Sequence, residues 1–104
     1  MSNLTGQTVL ITGGASGVGH AMATAFAEAG ANPYVVDVDQ TALDVCPATW
    51  GKSCFDVTDE IAIAALYEKL GEVPILCANA GTSGPTAPVE DISLEDWRAC
   101  TAVN

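Results

Sequence analysis

The sequence predicts an α/β domain built on a doubly wound parallel sheet. Three observations lead there. Short apolar runs alternate with helical patterns four times along the chain. The first run, Val9-Leu10-Ile11, is apolar at consecutive positions, which suits a strand covered on both faces. A glycine-rich turn, Gly13 to Gly19, joins that strand to an alanine-rich helix. Parallel strands with helical crossovers are the architecture such alternation produces.

Gln7 to Thr12 forms the first strand in this reading. Val18 to Ala29 forms the first helix, with Met22, Ala25, Phe26 and Ala29 at helical spacing facing the sheet and Gly30 ending it. Pro33 to Asp37 is the second strand, with proline at its start, where a missing N–H is tolerated. A short helix covers Thr41 to Val45 and stops before Pro47. Lys52 to Phe55 is a weaker third strand. Thr58 is the expected N-cap of a helix over Asp59 to Leu70, with acids in its first turn and Lys69 in its last. Gly71 closes it, and Val73 to Ala78 is the fourth strand. The Gly-, Pro- and Thr-rich stretch Thr82 to Asp91 reads as a loop, and Ser93 caps a last helix from Leu94.

Composition narrows the function classes. The 104 residues suffice for one modest core, and 49% apolar with 15% charged residues is a globular balance. The net charge is −10, and Lys52, Lys69 and Arg98 are the strong bases. Nucleic acid needs clustered cations to displace counterions, and an anionic membrane surface repels such a chain, so neither is an expected partner. No apolar stretch nears the ~18 residues of a bilayer span. Met1 to Gly6 shows neither a basic n-region nor a signal-peptide core, and the expected location is cytoplasmic. Cys46, Cys54, Cys77 and Cys100 are widely spaced and, with the single His20, make a poor metal set. They are expected to be buried or semi-buried free thiols. No metal site is expected, and His20 is read as a surface imidazole.

The glycine turn carries the chemistry. Spaced glycines allow a tight turn and close backbone approach, and the helix that follows aims free N–H groups and its positive dipole end at phosphates. An acidic chain holding an anionic dinucleotide must do so through backbone N–H groups, which this turn offers. A second test is an acid at the end of the next strand, and Asp37 stands there. A carboxylate at that point accepts from adenosine ribose hydroxyls and repels a 2′-phosphate. No Arg or Lys lies between Gly13 and Asp39, so NAD is expected in preference to NADP.

The turn reads Thr12-Gly13-x-x-x-Gly17-x-Gly19. With Asp56-Val57 after the third strand, Asn79-Ala80-Gly81 after the fourth, and Trp97 followed by Val103-Asn104, the chain resembles the short-chain dehydrogenase/reductase family along its whole length. The resemblance implies a Rossmann-type sheet of strand order 3-2-1-4. It implies cofactor contacts at Gly13, Ser16, Gly17, Val18, Gly19, Asp37, Val38, Asp56, Val57, Asn79, Ala80 and Gly81. It also implies a catalytic part for Asn104, which would help hold a water in a proton relay. An alcohol or ketone substrate and a homo-oligomer, dimer or tetramer, are implied for the complete enzyme.

The family's reaction also needs a serine and a Tyr-x-x-x-Lys pair. Four residues after Tyr34 and Tyr67 stand Val38 and Gly71, and Ser2, Ser16, Ser53, Ser83 and Ser93 belong to other roles. Residues 1–104 are therefore expected to be the N-terminal part of one dinucleotide-binding domain whose C-terminal catalytic half is absent from this chain, inactive alone and with an open edge at the fourth strand. Two alternatives stand beside this reading: a non-catalytic nucleotide-binding half domain, and an assembly subunit completed by another chain.

Overall fold

A computed structural model describes residues 4–82 and 86–104 of the chain. Ser2, Ser83 and part of the loop from Thr82 to Asp91 lie outside the described residues. The elements run β1 (Thr8–Thr12), α1 (Gly17–Glu28), β2 (Asn32–Asp37), α2 (Gln40–Asp44), β3 (Gly51–Cys54), α3 (Glu60–Leu70), β4 (Ile75–Cys77), a 3-10 turn (Val89–Asp91) and α4 (Leu94–Val103). The strands form one parallel sheet of order β3-β2-β1-β4, as expected of a Rossmann-type half sheet.

Both faces of β1 are covered, which explains why it has no polar alternation. Val9, Ile11 and Val35 face one side and join Ala15, Ala23, Leu43, Cys46 and Trp50 in a core under α1 and α2. Leu10, Tyr34 and Val36 face the other side and pack with Leu66 of α3. Register pairs Leu10 with Tyr34 and Ile11 with Val35, so like-facing residues sit side by side. Gly51 is required by this packing, because a Cβ there would overlap the Tyr34 ring. The Tyr34 hydroxyl is held by Ser53 Oγ and the Lys52 carbonyl.

Several expectations need correction. On α1, Met22 and Phe26 do pack on the core, but Ala23 and Ala27 complete that face and Ala25 is exposed. The apolar stripe of an alanine-rich helix is ambiguous by sequence because small residues suit either face. The N-cap of α3 is Asp59, whose carboxylate accepts from the Ala62 N–H at 3.0 Å, while Thr58 instead serves Asp56. The stretch to Asp91 contains a 3-10 turn. His20 is half-buried, its ring tilted 45° to that of Trp50 with centroids 5.1 Å apart.

The four cysteines are free. Cys46 is buried, and burial pushes its thiol up, away from the reactive thiolate. Cys77 and Cys100 are half-buried, and Cys54 is exposed, contrary to the expectation that all four would be at least partly covered. No helix among the described residues is long and apolar enough to cross a membrane. Among those residues β4 pairs only with β1, and Leu76 on it is 52% exposed.

Candidate nucleotide-binding cleft

The C-terminal ends of four parallel strands and the loops that leave them enclose a cleft of about 420 Å³. Ligand sites in open α/β sheets lie at this end, outside the strands and between diverging loops. Following the strand order, its wall runs from Phe55, Asp56 and Val57 after β3, through Asp37 and Val38 after β2, to Gly13 and Ser16 after β1. It ends at Asn79, Ala80 and Gly81 after β4.

The turn after β1 is held by the second strand and the fourth. Gly13 donates its N–H to the Val36 carbonyl at 2.7 Å. Thr12 Oγ1 accepts the N–H groups of Asn79 and Ala80 at 3.0 and 3.1 Å, so one hydroxyl ties β1 to the β4 exit. Asn79 returns the contact, its Nδ2 donating to the carbonyls of Thr12 and Gly13 at 3.2 and 3.3 Å. These bonds bring backbone against backbone. A Cβ on Gly13 would sit 3.1 Å from Ala80 Cα, and one on Gly19 would sit 2.6 Å from Asn79 Nδ2 and overlap the Gly13 carbonyl oxygen. Gly13 and Gly17 also adopt φ of +66° and +57°, in the left-handed region that favours glycine.

The first turn of α1 is left open to a ligand. Ser16 stands at its N-cap but makes no side-chain capping bond, and no acid occupies the first turn. The other α-helices are capped by their own chains, α2 by Asp39, α3 by Asp59 and α4 by Ser93. The orphan N–H groups and positive dipole end of α1 thus stand beside the cleft with no side-chain cap of their own.

Two carboxylates mark the far end. Asp37 is fixed by the N–H of Ala15 on Oδ2 and that of Asp39 on Oδ1, both at 3.1 Å. Asp56 accepts from Thr58 N–H at 2.9 Å and from Thr58 Oγ1 at 2.8 Å. Those two bonds favour the charged form and hold the Asp56 carboxyl below its ordinary range. Because this folded-state pKa is depressed, the stabilisation is complete above the ordinary carboxylate range and is lost as pH falls through the lowered value. Thr58→Val keeps the backbone donor and removes the hydroxyl. The Asp56 carboxyl carbon, followed by NMR titration, is expected to move part of the way back toward ordinary carboxylate values. An unmoved titration would remove the hydroxyl's part in this account.

The structure therefore brings Gly13, Ser16, Asp37, Val38, Asp56, Val57, Asn79, Ala80 and Gly81 to one cleft. Gly17, Val18 and Gly19 form the first turn of α1 beside it, and Val18 is 71% exposed. Asn104 instead borders a neighbouring cavity of about 240 Å³, together with Leu76 and Leu66. Its side chain is engaged, with Oδ1 accepting from Thr82 N–H at 2.9 Å and Nδ2 donating to the Thr82 carbonyl at 2.8 Å. Gly81 has no Cβ where Asn104 Oδ1 lies, 2.7 Å from the position a Cβ would take.

Sequence reading missed Thr12 as a bonding hub, Ala15 as the partner of Asp37, and Val36, Phe55, Thr82 and Val103 as lining. Val36 and Phe55 had a signal, since each directly precedes an acid or lies beside one at a strand exit. Ala15 had none, because its contribution is a backbone N–H that any residue but proline supplies.

Comparison with known proteins matches this geometry. A family model described as short chain dehydrogenase matches residues 7–104. A cis-4-hydroxycyclohexanecarboxylate dehydrogenase of Sinomonas cyclohexanicum is 36% identical, over 88% of this chain and 41% of that protein. A D-threitol dehydrogenase of Mycolicibacterium smegmatis is 33% identical, over 97% of this chain and 43% of that protein. Among solved structures, the apo form of LigD from Sphingobium sp. strain SYK-6 superposes with a TM-score of 0.89 at 29% identity, covering 97% of this chain and 48% of its own. The chain thus spans less than half the length of these three relatives.

Proposed function

The chain belongs to the short-chain dehydrogenase family, and from that premise we propose that it is the nucleotide-binding part of an NAD-dependent oxidoreductase. The observation that carries the reading is the cleft itself, with an uncapped helix N-terminus beside its centre and an oriented carboxylate, Asp37, toward its β3 side. The residues present fit a dinucleotide. Gly13 and Gly19 let the turn pack closely on Asn79 and Ala80, and Ser16 with the N–H groups of Gly17, Val18 and Gly19 faces the pyrophosphate. Asp37 accepts from the adenosine ribose hydroxyls, and its charge disfavours a 2′-phosphate. Asp56 accepts from the adenine amino group, while Val38 and Val57 flank the ring. Asn79, Ala80 and Gly81 line the cofactor near its middle.

When bound, NAD supplies a hydride acceptor for an alcohol carbon, or as NADH a donor to a ketone. Asn104 supports the proton relay of the complete enzyme, its side chain fixed on Thr82. The alcohol or ketone substrate, a homo-oligomeric assembly and a cytoplasmic location belong to the same proposal and rest on family resemblance. So does the view that residues 1–104 are the N-terminal part of one domain.

Calorimetric titration with NAD and NADP tests the cofactor assignment. NAD is expected to bind at least about tenfold tighter, the size of one charge-assisted hydrogen bond. Asp37→Ala is expected to lose most of the NAD affinity. Equal affinities for the two cofactors in the native chain would overturn the assignment.

A further inference from the structure

α4 brings two side chains to the β4 exit together. Cys100 and Asn104 lie one helical turn apart, joined by the bond from the Asn104 N–H to the Cys100 carbonyl at 3.0 Å, and so share one face. That face meets Thr82, one residue beyond Gly81. Asn104 pairs with the Thr82 backbone through both ends of its amide, and the Cys100 thiol closes the contact. Cys100 Sγ donates to the Thr82 carbonyl at 3.3 Å and accepts from Asn104 Nδ2 at 3.1 Å. We infer that Cys100 is a positioning residue for Asn104, holding its side-chain amide in one orientation beside the cleft that Thr82 lines. The inference rests on the proposed part of Asn104 in the proton relay and deepens it.

The count of donors and acceptors shows what the thiol adds. An asparagine amide carries two hydrogens on nitrogen and two lone pairs on oxygen. One Nδ2 hydrogen goes to the Thr82 carbonyl at 2.8 Å and the other to Cys100 Sγ, so both donors are engaged within the chain. Oδ1 accepts the Thr82 N–H at 2.9 Å and keeps a second lone pair. A flipped amide would set Nδ2 against the Thr82 N–H and Oδ1 against the Thr82 carbonyl, and would lose the sulfur as its acceptor. The side chain of Asn104 therefore meets a relay water through oxygen, as an acceptor.

Packing does not fix Asn104 in this way. No residue of α4 is buried, so hydrogen bonds and not a core hold its last turn against the β4 exit. The neighbouring Thr101 turns its hydroxyl back to the Trp97 carbonyl at 3.0 Å, the common habit of a hydroxyl on a helix. The Cys100 thiol instead reaches off the helix to Thr82.

Hydrogen exchange of the side-chain amide protons, followed by NMR, tests the assignment. Asn32 supplies a reference within the chain, because its Nδ2 makes one bond, to the Gly6 carbonyl at 3.3 Å. In the native chain both Asn104 protons are expected to be protected, whereas Asn32 protects one. Cys100→Val keeps most of the volume and removes both thiol bonds, and Cys100→Ala removes the volume as well. In either variant one Asn104 proton is expected to exchange at least about threefold faster, the effect of one weak hydrogen bond, while the proton on Thr82 keeps its protection. Far-ultraviolet circular dichroism checks folding, either folded variant suffices, and the native comparison with Asn32 stands without them. Native Asn104 protons as unequal as those of Asn32, or a folded variant with native exchange, overturn the assignment. A native chain that fails to bind NAD at millimolar concentration overturns the nucleotide-binding reading instead, and is recognised as that failure because the amide protons report without a ligand.

Discussion

Gly19→Ala is expected to destabilise the chain by about 2–3 kcal/mol and to remove nucleotide binding. Two effects oppose each other at this position. Gly19 lies in α1, where alanine is favoured over glycine by about 1 kcal/mol. The added Cβ, however, would overlap the Gly13 carbonyl oxygen and stand 2.6 Å from Asn79 Nδ2. The first obstacle is backbone, pinned through Gly13 N–H to Val36, so it cannot step aside as a flexible side chain would. The clash wins, and it opens the contact between the turn and the β4 exit. Gly17→Ala is the informative control, because nothing lies within 4 Å of its Cβ position and its cost comes only from a φ of +57°. That cost is about 1–2 kcal/mol. Urea unfolding of the two variants ranks them, and a Gly19→Ala chain as stable as the native one would contradict the packing described.

Asn79→Ala is expected to cost about 2 kcal/mol, because two carbonyls, those of Thr12 and Gly13, lose their donor together. Asn79→Asp separates the hydrogen bonds from the volume. At neutral pH its carboxylate would face two carbonyl oxygens, so this variant is expected to be less stable than Asn79→Ala. The ionised form is the disfavoured one, which raises the folded-state pKa of the new acid. Its relative stability is therefore present below the ordinary carboxylate pKa and lost as pH rises through the raised value. Denaturation of both variants between pH 4 and 7 measures this, on the scale of ordinary carboxylate titration. A gap between them that stays constant with pH would mean that Asn79 does not donate to those carbonyls.

These two residues show what a sequence discloses and what it withholds. The spacing of Gly13, Gly17 and Gly19 was legible because close backbone approach restricts the residue type, and Asn79-Ala80-Gly81 was legible by family resemblance. The parallel sheet followed from alternation and the crossover rule, and its strand order from the family resemblance. Asp37 was legible by its place at a strand exit, and Asp56 by family resemblance. The bond between Ala15 and Asp37 was not legible, since a backbone donor leaves no mark on residue type. The cap of α3 was misplaced by one residue because Thr58 and Asp59 are both good caps, and Asp56 claims the threonine. The buried face of α1 was partly misread because its alanines carry little preference. His20 reads as a surface residue in the sequence because the ring it meets, Trp50, is distant in sequence.

Amide chemical-shift mapping of the chain titrated with NAD decides whether the strand-exit cleft binds it. Saturable shifts are expected at Gly13, Ser16 to Gly19, Asp37, Val38, Asp56, Val57 and Asn79 to Gly81, with β3 and β2 exits responding to 5′-AMP alone. Saturable shifts centred elsewhere, or none at millimolar NAD, would contradict binding at the cleft.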